Sequence, residues 1–204
     1  MIQEINLLKQ EADRLMQIKC KTRGEGISGL ADDIKNKYGI DGVTKIEERL
    51  KELGYPTVFK EIRLTGWYPE GLNVLVLLVA KEIFGWTESD LFEMGHRAPK
   101  LFLIAKLYVR YFATATKTFQ ASGKFWKQFE TCGELEPFKI DEKEKYAIWR
   151  LKDYKFHPVM CPYLGGYFMG IAENIIRGLE FHMEETSCIY EGDPYHEYTL
   201  TWEQ

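Results

Sequence analysis

The stretch Cys161 to Trp202, CPYLGGYFMGIAENIIRGLEFHMEETSCIYEGDPYHEYTLTW, decides the fold. Pro162 suits the first turn of a helix, where its fixed φ is already helical and its missing N–H would have had no partner. Gly178 stops that helix. Leu179 to Ile189 and Tyr195 to Trp202 read as strands, and Gly192-Asp193-Pro194 is the turn that reverses the chain between them. Just upstream, residues 133–141 and 145–154 also alternate, joined by the polar turn Asp141-Glu142-Lys143. The last third of the chain is therefore β-β-α-β-β. Everything before it keeps helical spacing, so the expected fold class is α+β: a helical N-terminal body packed on a C-terminal module with a four-stranded antiparallel sheet.

The helical part begins with Ile5, Leu8, Ala12, Leu15 and Ile18, whose steps of three and four make an amphipathic helix. Its stripe must be buried against the body or against a second subunit. Residues 1–25 are thus expected to be an N-terminal helix that can serve dimerisation. Residues 26–204 are expected to form a single ligand-binding domain, helical over 26–132 and the β-β-α-β-β module over 133–204. Gly24, Gly26 and Gly29 suggest a linker or turn, and no Lys-Ser or Lys-Thr pair follows them to make a phosphate loop. Leu30 to Tyr38 and Asp41 to Leu53 read as two helices stopped by Gly39 and Gly54. Gly66 to Glu70 reads as a turn leading into the nearly all-apolar helix Glu70 to Phe84. A capping box of the kind Thr87-x-x-Asp90 precedes a helix from Glu88 to Gly95. Lys100 to Phe119 is the next long helical run, and Phe125 to Phe129 ends another.

The chain has 204 residues, 45% of them hydrophobic, enough for one large domain with a core of its own. Its net charge is -4 with both signs mixed, so nothing points to nucleic acid as a partner. The longest apolar run, Val74 to Ala80, is far short of the ~20 residues that cross a bilayer. The N-terminus lacks the apolar core of an export signal. Cys20, Cys132, Cys161 and Cys188 show no disulfide-framework spacing, and free thiols in a reducing cytoplasm are expected.

Two groups of residues carry possible chemistry. Aromatic residues make up 14% of the chain. They fill a core, or they line a pocket for an apolar or aromatic ligand. The residues placed to wall such a pocket are Tyr108, Phe112, Trp126, Phe129, Trp149 and Phe168. The second group is Cys161 at the helix start, Glu185 and Cys188 on the first strand of the hairpin, and His196 opening the last strand. Thiolate, imidazole and carboxylate suit zinc, and a helix N-terminus favours a thiolate at Cys161. Spacing alone leaves two readings open: a metal site, or two buried cysteines and a turn histidine.

The segment resembles the 4-vinyl-reductase domain family, the module of predicted hydrocarbon-binding proteins that also accompanies phenol-sensing transcription activators. The resemblance rests on Cys161, Gly165, Gly166, Glu185, Cys188, Gly192, Asp193 and Pro194, and more generally on Trp67-Tyr68-Pro69 upstream. It implies a small-molecule-binding or sensing protein and a structural zinc held by Cys161, Glu185, Cys188 and His196. The last of these stands where the family pattern has Cys, and imidazole can still ligate zinc. The same superfamily includes heme-based nitric oxide sensors and Golgi vesicle-tethering proteins. Heme is not expected, because the chain has no Tyr-x-Ser-x-Arg motif and offers only lone candidates in His96 and His157.

The expected function is therefore binding or sensing of a small apolar or aromatic molecule, with a homodimer and a separate signalling partner. One alternative is a reductase-type enzyme acting on an aromatic or tetrapyrrole-like substrate, although no dinucleotide fingerprint and no nucleophile–base set is visible. A second is a non-catalytic adaptor subunit.

Overall fold

A computed structural model of the protein describes residues 2–101, 115–176 and 178–203, with side chains from residue 7 onward and excluding 100, 101 and 115. Two compact units result, the first ending at Thr87 and the second beginning at Glu88. The fold is α+β, with helices leading and a four-stranded antiparallel sheet following.

The first unit holds α1 (Ile2–Gln17), β1 (Lys21–Arg23), α2 (Gly24–Glu52), a 3-10 turn at Phe59–Glu61, β2 (Trp67–Pro69) and α3 (Glu70–Phe84). The stripe on α1 is covered inside the unit: Ala12 and Leu15 are fully buried, and a Cβ on Gly71 of α3 would fall 2.3 Å from the Leu15 carbonyl. Leu7, one turn earlier, is 65% exposed. The glycines at 24–29 are not a linker as expected but the first turns of α2. Gly24 is needed there because a side chain would strike the Arg63 carbonyl at 2.2 Å. The two expected helices run on as α2 across Gly39, whose φ of 71° makes the kink. Trp67–Pro69 is not a plain turn either, since it pairs antiparallel with Lys21–Arg23. Gly85, left-handed at φ 66°, closes α3.

The second unit holds α4 (Glu88–Leu101), α5 (Ala115–Phe129), β3 (Glu134–Asp141), β4 (Tyr146–Lys152), α6 (Met160–Ile175), β5 (Glu180–Ser187) and β6 (His196–Glu203). α4 is longer than its capping pattern suggested, running through Gly95 to Leu101 with Pro99 inside it. The sheet order is β3-β4-β6-β5, all neighbours antiparallel. Alternate residues Ala147, Trp149, Leu151, Tyr198, Leu200 and Trp202 are buried, which makes one face of the sheet a core face. α6 lies on that face through Phe168, stacked on Trp149 at 5.7 Å and 8°. On its other side α6 meets α4 backbone to backbone. A Cβ on Gly166 would come 1.9 Å from the Phe92 carbonyl, one on Gly95 1.9 Å from that of Tyr163, and one on Gly170 2.3 Å from that of His96. The glycine face of α6 is a packing surface that fixes the helix, and with it Cys161, against its neighbour.

Candidate metal centre

Each of the four expected ligands is placed by local backbone chemistry. Cys161 stands in the first turn of α6, its N–H donating to the Pro158 carbonyl at 3.0 Å. The ladder between β5 and β6 shifts register between Glu185 and Ser187, and Cys188 then leaves the strand. The Asp193 carboxylate accepts the Cys188 N–H at 2.9 Å, and the Cys188 carbonyl accepts the Glu191 N–H. Gly192, with φ 105°, allows that tight return. The chain comes back to His196, the first residue of β6 and only 2% exposed. The Gly-Asp-Pro turn thus carries Cys188 over His196.

The four donor atoms lie within 4.8 Å of one another. The two sulfurs are 3.8 Å apart, Cys161 Sγ is 4.0 Å from His196 Nδ1, and His196 Nδ1 is 2.8 Å from Glu185 Oε1. A tetrahedral zinc with Zn–S near 2.3 Å separates two sulfurs by about 3.8 Å, and sulfur from nitrogen by about 3.6 Å. The sulfur edge already has that length. The His196–Glu185 edge is shorter than the ~3.4 Å a nitrogen and an oxygen would keep around zinc, so Glu185 would have to withdraw by about half an ångström.

The electrostatics favour a cation. Burial pushes the Cys161 thiol far above its usual range, and the nearby Glu185 carboxylate pushes it further. Cys188 is raised by burial first and by Glu185 second, with the Tyr190 backbone pulling the other way. The Tyr198 hydroxyl is raised well above its ordinary value, by burial and then by the same carboxylate. Three acids crowd one carboxylate, and without a positive charge among them the thiols keep their protons. A divalent cation held by these residues would supply such a charge.

Histidine orientation is also set. His196 Nε2 is 3.2 Å from the Tyr154 carbonyl, which can only accept, so that contact needs a hydrogen on Nε2, while Nδ1 faces Glu185 and the cysteines. The Tyr198 hydroxyl donates to the Cys161 carbonyl at 3.3 Å. Of three supporting residues, Asp193 was read only as part of the turn and of the resemblance, and Tyr154 and Tyr198 were given no role at the site. A turn aspartate preceding a proline is a visible signal for backbone capping. A backbone carbonyl such as that of Tyr154 leaves none. Cys161 and Cys188 are free thiols, and neither Cys20 nor Cys132 is, which corrects the expectation of free thiols throughout.

Of the six aromatic residues expected to wall a pocket, Tyr108 and Phe112 lie outside the described residues. The other four are buried. Trp149 and Phe168 share one cluster with Phe119 and Tyr198. Trp126 packs edge-on to Tyr154 at 5.5 Å and donates its Nε1–H to the Cys132 carbonyl, while Phe129 packs on Phe125. Tyr154 and Tyr198 therefore touch both the aromatic clusters and the cysteine site.

No family model and no curated protein matches the chain. Solved structures do match. An H-NOX protein from S. oneidensis in the Fe(II)NO ligation state superposes with a TM-score of 0.67 at 12% identity, over 89% of this chain and 99% of that one. A doubly substituted Tt H-NOX gives 0.63 at 14% identity, over 89% and 94%. An oxygen-binding H-NOX domain related to soluble guanylate cyclases gives 0.61 at 11% identity, over 89% and 95%. The fold is therefore like that of the H-NOX structures. The four histidines of this chain do not fit a histidine-ligated heme. His96 Nε2 is 2.7 Å from the Glu173 carboxylate, and His157 Nδ1 accepts the Val159 N–H. His182 is exposed on β5, and His196 belongs to the cysteine cluster. Among the described residues, no helix is long and apolar enough to cross a membrane.

Proposed function

We propose that the protein binds or senses a small apolar or aromatic molecule, as a 4-vinyl-reductase-type domain. Cys161, Glu185, Cys188 and His196 would hold one zinc ion in a structural role. The observation that carries the metal reading is the convergence of four donor atoms within 4.8 Å, drawn from a helix start and the two strands of a hairpin. Zinc there ties α6 to the β5–β6 hairpin and contributes folding free energy, because the unfolded chain has no preformed site. Four protein ligands leave no place for a reacting water, which is why the role is structural and not catalytic. His196 would ligate through Nδ1, since its Nε2 faces the Tyr154 carbonyl.

The ligand would lie against Trp149 and Phe168, with Trp126 and Phe129 on the α5 side and Tyr108 and Phe112 completing the wall. Buried aromatic density next to the sheet supports that placement. A homodimer is supported by Leu7, an exposed apolar residue of α1, and a separate partner in a cytoplasmic setting would take up the signal. Native mass spectrometry tests the reading in one experiment. It predicts a mass increment of one zinc per chain and a small apolar adduct on part of the population. A chain free of both, purified without chelator, would contradict it.

A further inference from the structure

Val58, Leu64 and Trp67 are 40%, 47% and 38% exposed. They are three of the six large apolar side chains exposed among the described residues, and they fall within one ten-residue stretch. Such clustering marks an interaction site more often than scattered exposure does. The stretch is held firmly. The Gly66 N–H closes the turn onto the Arg63 carbonyl at 2.9 Å, and Gly24 and Glu25 at the start of α2 donate their N–H groups to the Gly66 and Leu64 carbonyls. The Tyr68 hydroxyl accepts the Arg63 N–H. Leu64 and Trp67 are thus displayed by a fixed scaffold.

The charge around this turn runs against that of the chain. Segments 19–23 and 58–69 carry Lys19, Lys21, Arg23, Lys60 and Arg63 against a single acid, Glu61, in a protein of net charge -4. On the exposed side of the β1–β2 ribbon, Arg23 is paired with Trp67, and its guanidinium lies 3.9 Å from the indole centroid. Lys60 and Arg63 are exposed and have no ion-pair partner among the described residues.

We propose that the Arg63–Trp67 turn docks the protein on an anionic lipid surface. Leu64 and Trp67 enter the headgroup layer, and Lys60 and Arg63 meet lipid phosphates. Tryptophan beside aliphatic and basic side chains is the composition that settles at a membrane–water interface. Two side chains on a turn tip are too small for a standard protein interface, which buries about 800 Å² per partner. This surface lies in the first unit and is independent of the metal reading.

The test is co-sedimentation of the full chain with phosphatidylcholine vesicles, with and without about 30% phosphatidylglycerol, at low and high salt. Binding to the anionic vesicles only, weakened by salt, is expected. Trp67→Ser and Leu64→Ser should abolish most of it, and Arg63→Ala should weaken partition about fivefold. Arg63 makes its turn contacts through backbone atoms, so that variant keeps the fold if the serine variants do not. Absence of anionic-vesicle binding at low salt overturns the proposal. So does equal binding by well-folded variants, or preference for soluble polyglutamate over vesicles, which would mean an acidic protein partner.

Discussion

Cys188→Ser isolates the metal's contribution to stability. Serine keeps the shape of the side chain and the backbone bond from Cys188 to Asp193, but a hydroxyl is a poor zinc ligand. In the metal-free protein the change removes only a weak thiol contact 3.8 Å from Cys161, so chelated wild type and variant should agree within about 1 kcal/mol. With zinc at about 1,000 times its dissociation constant, wild type gains about 4 kcal/mol that the variant does not. For a chain of this length that is a difference of about 8–16 °C in Tm. His196→Cys should keep most of the gain, because thiolate is also a good zinc ligand. Differential scanning calorimetry of all three proteins, each with zinc and with EDTA, gives the six values needed. A Cys188→Ser protein that gains as much from zinc as wild type would refute the reasoning, as would a wild type indifferent to EDTA.

Zinc affinity should fall steeply as pH drops, since both thiols must lose their protons to bind; a competitive chelator titration at pH 6, 7 and 8 checks this, with a slope approaching about two log units per pH unit. The sign reverses without metal. Cys161, Cys188 and Tyr198 all have folded pKa values raised by burial, so their contribution is complete below the unfolded thiol pKa and is lost as pH rises above it. Urea unfolding in EDTA should therefore show lower stability at pH 10 than at pH 7. Gly166→Ala places a Cβ 1.9 Å from the Phe92 carbonyl and must separate α4 from α6; a loss of about 1–3 kcal/mol or more is expected in thermal melts, against no loss for Gly26→Ala in α2, whose Cβ would meet nothing closer than 3.8 Å. Leu7→Glu should convert the proposed dimer to a monomer by light scattering, and an unchanged mass would remove α1 from the interface.

The sheet and its helix were legible because periodicity and turn chemistry agreed there. Asp141-Glu142-Lys143 and Gly192-Asp193-Pro194 marked reversals between strands, although the side of the sheet that enters the core, through Ala147, Trp149, Leu151, Tyr198 and Leu200, was not specified. α3 was legible end to end because Pro69 and Gly85 bracket an apolar run. The glycines at 24–29 misled because a glycine that permits close backbone approach looks the same in sequence as one that permits a turn. Trp67–Pro69 was read as a turn because its pairing partner, Lys21–Arg23, lies far back in the chain and has only three residues. In the candidate metal centre, the grouping of Cys161, Glu185, Cys188 and His196 was legible from residue types and from the hairpin. Its support was not: the Tyr154 carbonyl and the Tyr198 hydroxyl act through tertiary proximity, which no local pattern encodes.

Metal stoichiometry tests the central claim most directly. The chain should be purified without a histidine tag or added metal, its free thiols verified as reduced, and its metal content measured by elemental analysis. The account predicts about one zinc per chain in the wild type and loss of that zinc in Cys188→Ser. Less than about a tenth of an equivalent of any transition metal in the wild type would contradict it. Hydrogen bonds from Asp193, Tyr154 and Tyr198 would then be what holds the hairpin to the helix.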